Sequence, residues 1–194
     1  MSWIETIDPT HAEGRLRALY ARVGNPDGTV DRVMQIHSLS PDSLHGHFEV
    51  YVASMHRASP LSRAERELVG SFVSLLNGCE YCLQHHAAGL RRLLPAERGM
   101  VADALAAGRD PRDRPSMVNA REAAMLAYAE RLTRSPGEAE KAWTDDLRAA
   151  GLTDREILDL ACVIGYFCYA NRVVLGLGVA LEGEGVGQHP SLAD

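Results

Sequence analysis

Apolar positions recur with helical spacing along nearly the whole chain, and alternating runs of the strand type are absent. Punctuation residues divide the pattern. A first helix is predicted over residues 10–23, after Pro9, and a short second one over 31–39. Ser40-Pro41 then sets a cap and a first-turn proline before a helix reaching about residue 56. Ser62-Arg-Ala-Glu65 is a capping box, opening a helix that ends near Asn77-Gly78. The next helix is predicted over 79–94. Pro95 suits the first turn of another that ends at Gly108. Residues 109–115 form the clearest loop, and helices follow over about 116–133 and 138–150. Thr153-Asp-Arg-Glu156 is a second capping box, placed before an apolar stretch over 157–181. The tail at 183–194 is Gly-rich and expected to be mobile. The pattern predicts an all-α bundle, a single domain over 1–194.

The two capping boxes suggest an internal repeat. A shift of 91 residues lays Leu61-Ser62-x-x-Glu65 on Leu152-Thr153-x-x-Glu156, and Val73 on Ile164. The expected division is an active half over 1–108, the loop 109–115, and a second half over 116–182. That second half lacks the chemistry: Glu67 falls on Leu158, Cys79 on Ala170 and Cys82 on Val173.

Composition narrows the partners. A chain of 194 residues is long enough to bury roughly 70% of its unfolded surface. Net charge is −6 with pI about 5.7, and no basic patch stands out, so nucleic acid is not an expected partner. No basic segment followed by an apolar core opens the sequence, so no leader is predicted. The 157–181 stretch carries Asp159, Asn171 and Arg172, which are costly at a bilayer centre. It is expected to be a buried core or subunit-interface helix of a cytoplasmic protein. Four cysteines do not make a secreted disulfide framework, so a lone Cys-x-x-Cys points to redox or metal chemistry.

That motif is Cys79-Glu-Tyr-Cys82, after Gly78 and before His86. At 100° per residue, Cys79, Cys82 and His86 fall within roughly a 60° arc of one helix face. Such a stripe also suits an ordinary core, because cysteine packs like a small hydrophobe. Three features favour chemistry. Cys79 lies at a helix N-terminus, where free N–H groups stabilise a thiolate. A turn at Gly78 brings Glu67 of the preceding helix to an axial offset of about 4–5 Å from His86. Ser71 and Ser74 share the face of Glu67 and are small enough to leave the approach open.

Glu67, eleven intervening residues, Cys79-x-x-Cys82, three more and then His86 resembles the signature of the alkylhydroperoxidase D-like proteins, within the carboxymuconolactone decarboxylase superfamily. The match resembles its peroxidase-related branch, in which an active half precedes a half without the cysteines. The resemblance implies an alkylhydroperoxidase D-like helical bundle, a homo-oligomer (dimer, trimer or hexamer), and peroxiredoxin-type antioxidant activity with no bound cofactor or metal. It implies Cys82, Cys79, His86 and Glu67 as catalytic residues, a hydroperoxide as substrate and an external dithiol as reductant. Glu67 would orient His86 and favour its cationic form, His86 would take the Cys82 proton, and Cys82 would attack the O–O bond. Cys79 would then close the disulfide. The helix dipole favours Cys79 as the more acidic thiol, whereas proximity to His86 and the resemblance favour Cys82 as the attacking one. The chain departs from the pattern at Tyr81, where related proteins can carry a histidine of the proton relay. A phenol with a pKa near 10 is a poor base at neutral pH.

Other readings of the same residues are a general thiol–disulfide oxidoreductase or redox sensor, a zinc module using Cys79, Cys82 and His86, and a lactone decarboxylase. The last needs no cysteine pair. Cys162 and Cys168 are expected to pack, as are Trp3 and Trp143. His37, His45, His47 and His56 are not expected to share a metal, since His45 and His47 point about 200° apart on a helix. Asn171-Arg172 is read as an interface pair with a buried arginine, with substrate or anion contact as its functional alternative.

Overall fold

The computed structural model describes residues 2–114 and 116–182. Among these no strand occurs, and the fold is all-α. The helices are α1 (Gly14–Val23), α2 (Arg32–Gln35), α3 (Pro41–Met55), α4 (Arg63–Leu76), α5 (Glu80–Leu93), α6 (Met100–Ala106), α7 (Ala120–Arg134), α8 (Lys141–Ala149) and α9 (Asp154–Gly176). The expected mobile tail lies outside the described residues.

Helix α4 occupies the centre. Every residue from Arg66 to Ser74 is buried, because α5, α7, α9 and α3 pack around it. Close approach requires small side chains there. A Cβ on Gly70 would sit 2.3 Å from the ring of Phe167 on α9. A core containing Leu16, Met55, Phe72, Leu105, Met125, Leu160 and Phe167 runs through both predicted halves.

The capping boxes at Ser62/Glu65 and Thr153/Glu156 form as expected, each contributing about 1 kcal/mol of helix stability. A third opens α7, with Asn119 capping and Glu122 returning the bond. One arginine of α7 ties the first two boxes together: Arg121 donates to Glu65 at 2.8 Å and to Glu156 at 2.6 Å.

Several predicted boundaries differ from the structure. The first helix breaks into a short 3-10 turn at Pro9–His11 and then α1, because Gly14 takes φ +51°. The internal repeat holds at the boxes and then ends. Gly78 takes φ +69° and turns the chain from α4 into α5, whereas Tyr169, its counterpart by the 91-residue shift, lets α9 continue for 23 residues. Helix α9 stops at Gly176, so residues 177–182 are not helical. By length and composition α9 is apolar enough to cross a membrane, yet half of its apolar window is buried against the rest of the chain.

Candidate functional site

Helices α4 and α5 form an antiparallel hairpin, and its turn places Cys79 as the N-cap of α5. Cys79 is 0% exposed and Cys82 is 4% exposed. Both thiols are free. They lie in a small apolar cluster with Ile36, Tyr81, Val174 and Val179, separate from the main core.

The predicted carboxylate–imidazole pair is present. His86 Nδ1 lies 2.7 Å from Glu67 Oε2. An ionised carboxylate only accepts, so Nδ1 carries a proton and Nε2 is left as the basic nitrogen of the ring. The other Glu67 oxygen faces Arg63 at 3.8 Å. Two contacts fix this pair. A Cβ on Gly89 would lie 3.3 Å from the Glu67 carboxyl group, so the bare backbone of α5 makes room for it. The ring of Phe167 meets the His86 ring edge to face, with centroids 4.6 Å apart. The register that sets Glu67 opposite His86 and Gly89 sets Ser71 opposite the turn bearing Cys82. The Ser71 hydroxyl is buried without a protein hydrogen-bond partner.

Cys79 and Cys82 are neighbours one helical turn apart in this cluster, and each shifts the other's ionisation. Donation from the Cys82 thiol, helped by the Cys82 backbone N–H and the Asn171 amide, holds the Cys79 thiol below its ordinary value even though burial opposes it. The same bond, together with burial and the adjacent Cys79 charge, pushes Cys82 well above its own. Of the two, Cys79 is therefore the thiol that ionises first, in line with the helix-dipole argument.

Asn171 is the site residue that sequence reading left aside as an interface contact. It is fully buried, and its amide accepts from Asn77 at 2.9 Å and donates to Ser74 Oγ at 3.2 Å. A polar residue inside an apolar helix was the available signal. Arg172 is exposed in the single chain and donates to the Cys168 carbonyl at 2.5 Å. Cys162 is exposed, so it is not a core packing residue of this chain, whereas Trp143 is buried.

Tyr81 has a structural partner. Residues 177–182 cross the N-terminus of α5, and Glu182 fastens them. Its Oε1 accepts from the Tyr81 hydroxyl and the Arg32 backbone N–H, both at 2.9 Å, and its Oε2 lies 2.9 Å from His85 Nε2. Burial opposes the Glu182 charge, but the bonds from His85, Arg32 and Tyr81 hold its carboxyl down to about 2. The Arg32 guanidinium also donates to the carbonyls of Ala180 and Leu181.

Two other described histidines meet each other. His37 Nε2 lies 3.1 Å from His47 Nδ1, and the Tyr166 hydroxyl lies 3.2 Å from His47 Nε2. Burial and the neighbouring His37 drive His47 down to about 3, so it is neutral. His47 and Tyr166 line an open cavity of about 380 Å³ between α3 and α9, with Val50, Gly165 and Tyr169. Among the described residues, no three His, Cys, Asp or Glu side chains converge as metal ligands.

The sequence profile of the carboxymuconolactone decarboxylase family matches residues 41–126, from α3 into α7. Two solved structures share both fold and sequence. An uncharacterized peroxidase-related protein from Silicibacter sp. TM1040 is 29% identical, with a TM-score of 0.75, covering 90% of this chain and 85% of that one. An uncharacterized peroxidase-related protein from Ralstonia eutropha JMP134, described as an alkylhydroperoxidase AhpD core, is 25% identical, with a TM-score of 0.82, covering 94% and 93%. The debrominase Bmp8, at 17% identity and a TM-score of 0.73 over 92% and 91%, shares the fold alone. No curated protein sequence is significantly similar. The chain is similar to the carboxymuconolactone decarboxylase family over residues 41–126, and to alkylhydroperoxidase D-like, peroxidase-related proteins over most of its length.

Proposed function

We propose that this protein reduces hydroperoxides with the Cys79–Cys82 dithiol, which closes to a disulfide and is reopened by an external dithiol. The observation that carries this reading is a buried pair of free thiols on the same helix as an imidazole whose proton is fixed by Glu67. Once His86 Nε2 has taken one thiol proton, the pair holds the other, with the charge on Cys79. Transfer of that proton from one sulfur to the other turns Cys82 into the thiolate nearer His86. Cys82 attacks the terminal peroxide oxygen, the O–O bond breaks, and the alkoxide leaves. His86, carrying a proton on each nitrogen, gives the Nε2 proton to the alkoxide. The Cys79 thiol then displaces water from the Cys82 sulfenic acid and forms the disulfide. The balance is two thiols and ROOH to one disulfide, ROH and water.

Burial separates this reading from general exchange with protein disulfides. Cysteines 0% and 4% exposed suit a small oxidant and exclude a folded partner while the closing segment is in place. Zinc binding by Cys79, Cys82 and His86 is not favoured, since the three do not converge. The test is turnover of an organic hydroperoxide with a small dithiol as reductant, together with sulfenic acid trapping in single-cysteine variants. Cys79→Ser should trap the acid on Cys82. Turnover no faster than the dithiol alone would overturn the function. A full-rate sulfenic acid on Cys79 in Cys82→Ser would overturn the cysteine order.

A further inference from the structure

The Asn171 amide is oriented by its neighbours at the turn that bears Cys79. Ser74 Oγ donates to the Gly70 carbonyl at 2.8 Å, so its one proton is committed. Toward Asn171 at 3.2 Å it therefore accepts, which requires the amide nitrogen on that side. Asn77 Nδ2 donates to the amide oxygen at 2.9 Å, which fixes the same orientation from the opposite end. One N–H of Asn171 is used by Ser74, whose carbonyl accepts from the Cys79 N–H at 2.9 Å, and Val174, one turn along α9 from Asn171, packs with Cys79 and Cys82; the amide therefore lies against the thiol pair, where it lowers both thiols. Asn171 is 0% exposed, so no water competes for that donor.

We propose that Asn171 is the anchor of the thiolate: a neutral donor, held in one orientation by Ser74 and Asn77, that keeps negative charge on the Cys79–Cys82 pair. The assignment rests on the dithiol reading above and extends it to a residue on the second half of the chain. It also bears on Tyr81, which is bonded to Glu182 rather than to a sulfur. An amide does not titrate, so the charge it stabilises is available at any pH above the thiol's own midpoint. The titratable groups around the sulfurs are Glu80, Tyr81 and His86 on α5, Glu67 on α4, Tyr166 on α9 and Glu182. Of these, Glu80 opposes a charge on Cys79. The Cys82 thiol and the Asn171 amide favour that charge instead.

The test is the pH profile of iodoacetamide alkylation of the reduced full-length chain, mapped to Cys79 and Cys82 by mass. Asn171→Leu removes the donor, and Asn171→Asp replaces it with an acceptor of the same shape. Alkylation below the midpoint should fall about ten- to a hundredfold in Asn171→Leu and further in Asn171→Asp, with the midpoint moving up in both. Ser74→Ala, which frees the amide to rotate, should move the midpoint in the same direction by less. If a variant at 171 fails to fold, Ser74→Ala and Asn77→Ala carry the test. A role in packing alone would lower the melting temperature and leave the midpoint where it is, and an unmoved midpoint in folded variants would overturn the proposal. Because thiolate is read without peroxide, loss of the peroxidase reading and loss of this one are separate results.

Discussion

Glu67 reaches His86 because residue 89 on the facing helix has no side chain, and this sets the first expectation at the residue scale. Gly89→Ala places a Cβ 3.3 Å from the carboxylate and should slow peroxide-driven disulfide formation by roughly tenfold without unfolding the chain. Stopped-flow thiol loss on the reduced variant checks this. His86→Ala should cost about a hundred- to ten-thousandfold in the same assay. The Cys79 thiol sits below its ordinary value, so thiolate should appear at lower pH than in free cysteine and vanish as pH falls through that midpoint. Cys82 should show no second thiolate step in the same range. Glu67, Cys79, Cys82 and His86 were legible in the sequence because one helix face and one turn fix their spacing. Asn171 was not, because its role depends on where α9 crosses the hairpin, and no local spacing encodes that crossing. Gly89 was hidden for the same reason.

The elements that position the site are the α4–α5 hairpin and the segment that closes over it. Capping boxes and Gly78 announced the hairpin, since both act within a few residues. The closing segment was read as the end of a helix, because an apolar run does not show where tertiary contacts take over from helical ones. Leu177, Val179 and Leu181 pack against the sulfur cluster instead of extending α9. Glu182 holds this segment, so Glu182→Gln should raise the rate at which a bulky maleimide reaches Cys79 and Cys82, and leave their thiolate midpoint little changed. The pH dependence has a definite sign. The Glu182 carboxyl lies at about 2 in the fold against an ordinary value of 4.5, so its stabilising contribution is complete above 4.5 and is lost as pH falls toward 2. Hydrogen exchange in residues 177–182 should therefore quicken over that window in the wild type and be insensitive to it in Glu182→Gln.

At the scale of the whole molecule, the all-helical fold was legible from apolar spacing, while the packing of α4 against α9 was not. The predicted repeat reached only as far as the capping boxes that Arg121 joins. On α9 the exposed residues Leu158, Cys162, Gly165, Tyr169 and Arg172 recur at alternating spacings of four and three, the pattern of a helix–helix seam. Leu158 is 58% and Tyr169 43% exposed, with Val50 of α3 beside them at 48%. We expect this face to be buried in a homo-oligomer, so Tyr169→Glu should lower the mass measured by light scattering, and an unchanged mass would remove that face from the assembly. The central claim is tested most directly by intact mass and thiol titration of metal-free, reduced protein before and after one equivalent of an organic hydroperoxide. The account predicts loss of two protons, mapped to a Cys79–Cys82 disulfide, faster than in His86→Ala. Thiols that react no faster than free cysteine, or that form no such disulfide, would contradict it.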